Sequence, residues 1–264
     1  MLSNLKLKDR INSYQEQSEF KLLNKLPIII IVNGKSFSKT TSLLDNPYSQ
    51  SFAECMMATA LKLCSEVEGA FFAYHHNDEI VLVSRNDQSQ DTIPWCDNKV
   101  QKISSIVSSI ATLQFNNSVN NSNLNILGEA YFSTKIFSVP NIPEAINTII
   151  YKQQQNFYTS IQLACFYELL KIYDKPYIKE ITQGLSFDEK IDLLQQECNV
   201  DFNEYPIAFR RGVACYKVPQ VMGDIMKNKW AINADLPIFT KDQSFLGNIF
   251  KHGTDIFRQG SFNL

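Results

Sequence analysis

Three features of the sequence predict an α+β fold in which an antiparallel sheet is backed by helices. The first is Ile28-Ile-Ile-Ile-Val32, an unbroken β-branched run. With no polar alternate positions, both of its faces need cover, so it reads as a central strand. The second is a pair of short apolar runs, Ala70 to Tyr74 and Ile80 to Ser84, separated by His75-His-Asn-Asp-Glu79 in the pattern of a β-hairpin. The third is the interleaving of amphipathic helical stretches with these strands, which gives the order strand, helix, hairpin, helix, strand.

Taken in order, Leu5 to Leu22 carries Leu7, Ile11, Tyr14 and Phe20 near helical spacing and predicts an N-terminal helix. After the central strand, Ser51 to Val67 sets Phe52, Met56, Ala60, Leu63 and Val67 on one helical face, and Gly69 closes it. That stripe is core material. A loop at Ser89 to Pro94 leads into a second amphipathic helix, Asn98 to Leu113, with Ile103, Val107 and Ile110 inward. Asn116 to Asn125, rich in Asn and Ser, reads as a mobile loop, Ile126 to Val139 as strand, and Pro140 to Pro143 as a break before a long helix from Glu144 to about Tyr173. Ser186-Phe-Asp-Glu189 has capping-box spacing and opens a helix to about Cys198. Arg210 to Val218 reads as a strand, and the tail with Trp230 and Leu236-Pro-Ile-Phe239 as extended chain packed on the body, with the last dozen residues loosely held. The arrangement is a ferredoxin-like or polymerase-palm sheet backed on one face by two helices. Residues 1–140 form the palm-like core and residues 141–264 the long helix with a smaller helical and extended appendage.

The 264 residues suffice for one sizeable core. A net charge of −2 means that any nucleic acid must be met by a local basic patch. This argues against a protein that coats nucleic acid, though not against an enzyme that grips one end of an RNA. The chain has no signal-peptide core and no stretch near membrane-spanning length, so a cytoplasmic protein with no membrane partner is expected. Six widely spaced cysteines without a C-x-x-C indicate neither a zinc site nor a disulfide framework, and are expected as reduced, mostly buried thiols.

The chemistry concentrates where the central strand ends. Its carboxyl end delivers Asn33, Gly34 and Lys35 to the sheet edge. Gly34 lets backbone approach an anion closely, the amides that follow are candidates for a phosphate cradle, and Lys35 and Lys39 add positive charge. Asp78 and Glu79 sit at the hairpin tip, which taken alone is a solvated turn. His75 and His76 fit that same reading, because adjacent strand residues point to opposite faces and do not share a metal.

Several short motifs then carry a family resemblance over nearly the whole length. They are Leu7-Lys-Asp-Arg10 with Tyr14, Asn33-Gly-Lys-Ser-Phe37, Asn77-Asp-Glu79, Pro94-Trp95 through Gln101-Lys102 and Ser105 to Ser109, Phe137 with Pro140, Gln153, Phe209-Arg-Arg-Gly212 and Leu236-Pro-Ile-Phe-Thr240. In this order and spacing the chain resembles the tRNA-histidine guanylyltransferase family, and within it the Thg1-like proteins. The resemblance implies a nucleotidyltransferase that adds nucleotides to the 5′ end of tRNA in the 3′-to-5′ direction, for tRNA-His maturation or 5′-end repair. It implies two Mg2+ ions, GTP or ATP as substrate, tRNA or another RNA 5′ end as partner, and a homo-oligomer, a tetramer in the family. Asp78 and Glu79 become the catalytic carboxylates, and Asn33, Gly34 and Asp78 the metal positions. Asn33, Gly34, Lys35, Ser36, Phe37, Asn77, Lys99 and Lys102 become the nucleotide-binding positions.

The departures from the family pattern are polar. Asn33 stands where the family has a metal-binding Asp, and Asn77 where it has Ser. Phe132-Ser-Thr-Lys135 replaces Phe-Asp-Ala-Arg, and Lys152-Gln-Gln-Gln155 with Tyr158-Thr159 replaces Arg-Gln-x-Asp with Arg-Asn. An amide oxygen can ligate magnesium but brings no negative charge, so the ion site is weakened. Three readings follow: an active transferase, a catalytically weakened or inactive homologue that binds nucleotide or RNA alongside a partner, or a palm-type enzyme with another nucleotide substrate.

Overall fold

The structure, a computed structural model, describes residues 6–252 except 90, 223 and 224. At its centre is β1 (Ile28–Gly34), with β2 (Ala70–His76), β3 (Glu79–Ser84), β4 (Phe132–Ser138), β5 (Val213–Met222) and β6 (Ile225–Asn233) in one sheet. The strand order is β4-β1-β3-β2-β5-β6, and every neighbouring pair is antiparallel. Ile28, Ile30 and Val32 pack under α3 (Gln50–Glu66) and α4 (Val100–Asn120) with Met56, Leu63, Ile103 and Val107. Ile29 and Ile31, pointing the other way, join Phe72, Tyr74, Val81 and Val83 beneath α5 (Ile142–Leu169) and α9 (Gln243–His252). Each isoleucine buried in this way contributes about 1.5–3 kcal/mol. The sheet is therefore covered on both faces rather than on one, and its second cover comes from beyond residue 140.

The long helix continues past the sheet. Its far half, with Ile161, Ala164, Cys165 and Leu169, forms a separate apolar cluster with α6 (Lys175–Thr182), α7 (Phe187–Cys198) and α8 (Ile207–Arg211). The Ser186–Glu189 capping box is formed in both directions, and Asn141 and Asp174 cap α5 and α6 in the same way with one side chain each. A short α2 (Phe37–Thr40) follows β1, and α1 (Leu7–Glu16) covers less than the stretch expected and buries none of its residues.

Three further expectations change. The helix expected to stop at Leu113 runs to Asn120, because Phe115 and Val119 are buried and Asn116 bonds both backbone groups of Ala130, accepting at 3.0 Å and donating at 2.9 Å. The polar composition of Asn116–Asn125 therefore gives way to tertiary contacts. Strand begins at Phe132, not Ile126. Trp230 lies in β6, hairpinned to β5, with the Lys217 ammonium 5.2 Å from the centre of its ring, rather than in an extended tail. The last dozen residues lie outside the described part. All six cysteines are free, four of them buried. No described helix is long and apolar enough to cross a membrane.

Gln153 fastens the tail. From inside α5 its buried amide donates to the carbonyls of Arg211 at 3.2 Å and Pro237 at 3.0 Å and accepts from the Phe239 N–H at 2.8 Å. Gln153→Leu strands three backbone groups. It is expected to cost about 2–4 kcal/mol and to lower Tm by roughly 5–12 °C in thermal denaturation.

Candidate nucleotide site at the sheet edge

The hairpin turn holds only Asn77 and Asp78, with Asn77 in a left-handed conformation at φ 48°, which Asn tolerates. Asn33 sits directly opposite Glu79 in the ladder, and the Gly34 N–H donates to the Asp78 carbonyl at 3.0 Å. Asn33, Gly34, Asp78 and Glu79 thus come together at one edge, as the sequence led us to expect. Gly34 has a steric reason to be glycine, since a Cβ there would run into the ring of Phe37. That ring is buried among Phe52, Phe115 and Phe132, with centroids 5.0–6.1 Å apart.

The phosphate cradle is shorter than expected. The Gly34 amide is spent on Asp78 and the Lys35 amide on the Tyr131 carbonyl at 2.7 Å. Ser36, in left-handed backbone at φ 58°, turns the chain so that the amides of Ser36, Phe37 and Ser38 have no acceptor among the described residues. Lys35 and Lys39 are exposed beside them.

Burial raises the pKa of Asp78, and the neighbouring Glu79 charge adds to this. Glu79 is engaged elsewhere, its Oε2 2.6 Å from the Lys152 ammonium of α5. With Asn33 neutral, Asp78 has no cationic partner among the described residues, and Asp45 lines the adjoining cavity without one as well. Magnesium is commonly held by one or two carboxylates plus substrate phosphates. The donor set therefore fits a single hard cation shared with a phosphate, with Asp78, the Asn33 amide oxygen and backbone oxygen at Gly34 as ligands. It does not fit two ions.

Both histidines are buried, not solvated at a tip, because the strand extends through them. They do face opposite ways. His76 Nε2 donates to the Phe209 carbonyl at 2.6 Å, with Ser160 Oγ 2.9 Å away, whereas His75 lines a cavity on the α3 side. Burial pulls their pKa values down to about 3 and about 4. Both are neutral at physiological pH.

That cavity, of about 320 Å³, opens beside Asp78 between α2 with residues 41–49, the start of α3, the middle of α5 and α8. Its apolar walls are Phe37, Phe52, Tyr48, Leu163 and Phe209, and its polar ones include Ser38, Asn77 and Thr159. Motif reading gave Phe37 and Asn77 as nucleotide-binding positions, Thr159 as a departure and Phe209 as part of a motif, and it missed Tyr48, Phe52 and Leu163, which come from a loop and two separate helices. A second, open groove runs between β4 and α5 past Lys135, Phe137, Tyr151 and Lys152.

Lys99 and Lys102 are not brought here. They lie at the start of α4, whose Phe115 is the residue that meets Phe37, about 20–24 Å further along the helix at 1.5 Å per residue. Lys99 instead pairs with Glu19 at 2.8 Å.

The fold is an antiparallel sheet with carboxylates at one edge, free amides after its central strand and an aromatic cavity alongside. The family model for tRNAHis guanylyltransferase matches residues 8–140, just over half of the sequence. The chain belongs to that family. An uncharacterized protein of Acanthamoeba polyphaga mimivirus is 23% identical over 92% of this chain and 87% of its own length. The tRNA(His) guanylyltransferase 1 of Arabidopsis thaliana is 20% identical over 84% of this chain and 39% of its own length. Among solved structures, a bacterial tRNA(His) guanylyltransferase-like protein in complex with ATP superposes with a TM-score of 0.80 at 24% identity, covering 94% of this chain and all of that one. This likeness establishes the fold.

Asp78 has a raised folded pKa, so the folded state binds more protons than the unfolded one as pH rises through the carboxylate range. Stability falls over that window, and the penalty is fully present at neutral pH. Asp78→Asn is therefore expected to raise Tm at pH 7 while abolishing magnesium-dependent nucleotide binding, checked by melting curves and calorimetric titration.

Proposed function

We propose that this protein binds a nucleoside triphosphate, GTP or ATP, at the β1 edge and transfers its nucleotide to the 5′ end of tRNA or a similar RNA in the 3′-to-5′ direction. The observation that carries the reading is the convergence of Asp78, three unspent amides and an aromatic cavity of base size at one sheet edge, in a chain of this family. Ser36, Phe37 and Ser38 would meet the phosphates through their amides, with Lys35 and Lys39 supplying long-range attraction. The base would lie between the Phe and Tyr walls, since every base has a face to stack. When bound, a magnesium ion at Asp78 would draw charge off the phosphate oxygens. Lys152 holds Glu79 in place and offers positive charge where the open groove reaches the site.

The RNA end fits that groove, where Tyr151 is 57% exposed and Lys135 is solvent-facing. A homotetramer acting in the cytoplasm, with an RNA surface built across subunits, belongs to the same proposal, because a chain of net charge −2 has no basic field of its own. The decisive assay is transfer of label from a nucleoside triphosphate to 5′-monophosphorylated tRNA with magnesium present. No transfer, together with retained nucleotide binding, would favour a second reading, a nucleotide- or RNA-binding homologue working with a partner. Neutral Asn33 and the Lys152–Glu79 pair are the observations on its side.

Asn33→Asp supplies the charge the edge lacks. Transfer measured against magnesium concentration is expected to reach half-maximum at about tenfold less magnesium, the equivalent of roughly 1.4 kcal/mol. Identical curves for both proteins would remove position 33 from the ion's surroundings. Lys135→Glu is expected to weaken RNA binding about tenfold in a filter assay at moderate salt and to leave triphosphate affinity unchanged.

A further inference from the structure

One polar group in the cavity has no part in the function proposed above. His75 is 4% exposed, and both of its ring nitrogens lack a partner within the described chain. The neighbouring His76 keeps one ring nitrogen bonded, Nε2 to Phe209 and Ser160, and has only Nδ1 without a partner, whereas His75 has neither bonded. A buried polar side chain without a partner is uncommon in a folded protein and points to something outside the chain that completes it. The residues that line the cavity with His75 from α3, α8 and β5 are apolar, Phe52, Phe209 and Val213 among them, and Phe37 joins them from α2, while Ser38, Asn77 and Thr159 are among its polar parts. The carboxylates that line the cavity are Asp45 and, in the turn, Asp78. His75 is thus a polar point in an aromatic wall, two residues inward from Asn77 and about 7 Å deeper than the turn. A base would reach that depth if its phosphates lay on the amides of Ser36 to Ser38.

We propose that His75 is a specificity-determining residue of the nucleotide site, hydrogen-bonding the polar edge of a purine base seated in the aromatic cavity. The inference rests on the nucleotide-binding reading and names what that site recognises. A neutral imidazole carries one donor and one acceptor, and the two exchange between tautomers. It accepts from the 6-amino group of adenine in one form and donates to the 6-oxo group of guanine in the other. A fixed donor or a fixed acceptor would select one purine. His75 admits both, and ATP and GTP are expected to bind within about tenfold of each other.

The test is calorimetric titration of the full chain and of His75→Leu with ATP, GTP and inorganic tripolyphosphate, alongside melting curves. The expected result for His75→Leu is affinity for ATP and GTP about tenfold weaker or worse, and affinity for tripolyphosphate unchanged. Its ligand-free Tm should rise by roughly 2–4 °C, because an unpartnered polar group has been removed. His75→Gln, which keeps a donor and an acceptor, should recover most of the loss. Unchanged nucleotide affinity in a folded Leu variant overturns the proposal. So does an equal loss of tripolyphosphate affinity, which would mark general damage. Should the Leu variant fail to fold, 15N shifts of the ring nitrogens decide, since the chain has three histidines. ATP and GTP should move the His75 signals and tripolyphosphate should not, and the reverse overturns the proposal. Native protein that binds tripolyphosphate as tightly as ATP overturns the base contact alone. Native protein that binds none of the three overturns the nucleotide-binding reading, and this inference with it.

Discussion

The ring of Phe37 lying against Gly34 ties the sheet to everything at its edge. The central strand arrives buried on both faces and must stop without exposing its apolar end. Phe37 folds back to plug that end, and no side chain at position 34 leaves room for it to do so. The same ring anchors the short helix that frees three amides, and it forms part of the cavity wall. One aromatic contact therefore sets core closure, anion-facing backbone and base-facing surface together. A change there reaches all three.

Charge at this edge is carried by few groups. The ladder sets position 33 opposite Glu79, and the turn presents Asp78. The balance of ions is a neutral amide on β1, a lysine gripping Glu79 from α5, and a carboxylate at Asp78 whose charge is opposed by burial. Such an edge attracts a cation mainly once a triphosphate has brought charge of its own, so ion and nucleotide affinities become linked.

Much of the fold could be read because its signals are local and strong. A β-branched run with no polar breaks, helical stripes at 3.6-residue spacing and a reciprocal cap each specify their element without reference to the rest. The reading failed where distant contacts overrule composition. Asn116 looks like a loop residue until Ala130 is seen to satisfy its amide, and α1, helical as its spacing says but shorter, buries none of its residues among the described ones. At the site, the ordered motif gave Asn33, Gly34, Asp78 and Glu79. Tyr48, Phe52 and Leu163 meet Phe209 only when a loop and three helices converge, and no pattern along the chain records that meeting. Lys99 and Lys102 show the opposite error, in which matching residue types concealed the direction in which their helix runs.

The path of α5 has a consequence for how the molecule comes apart. One continuous helix of 28 residues, about 42 Å long, supplies cover for the sheet in its first half and half of a separate apolar cluster in its second. Heat or denaturant cannot melt either portion and leave the other with an intact helix boundary, since no loop in α5 can serve as a hinge. The two clusters are coupled like two rooms that share a beam, and a single cooperative transition is the behaviour such construction favours. A fragment cut after residue 140 would leave Ile29, Ile31 and Val83 facing water, a sticky sheet face prone to self-association.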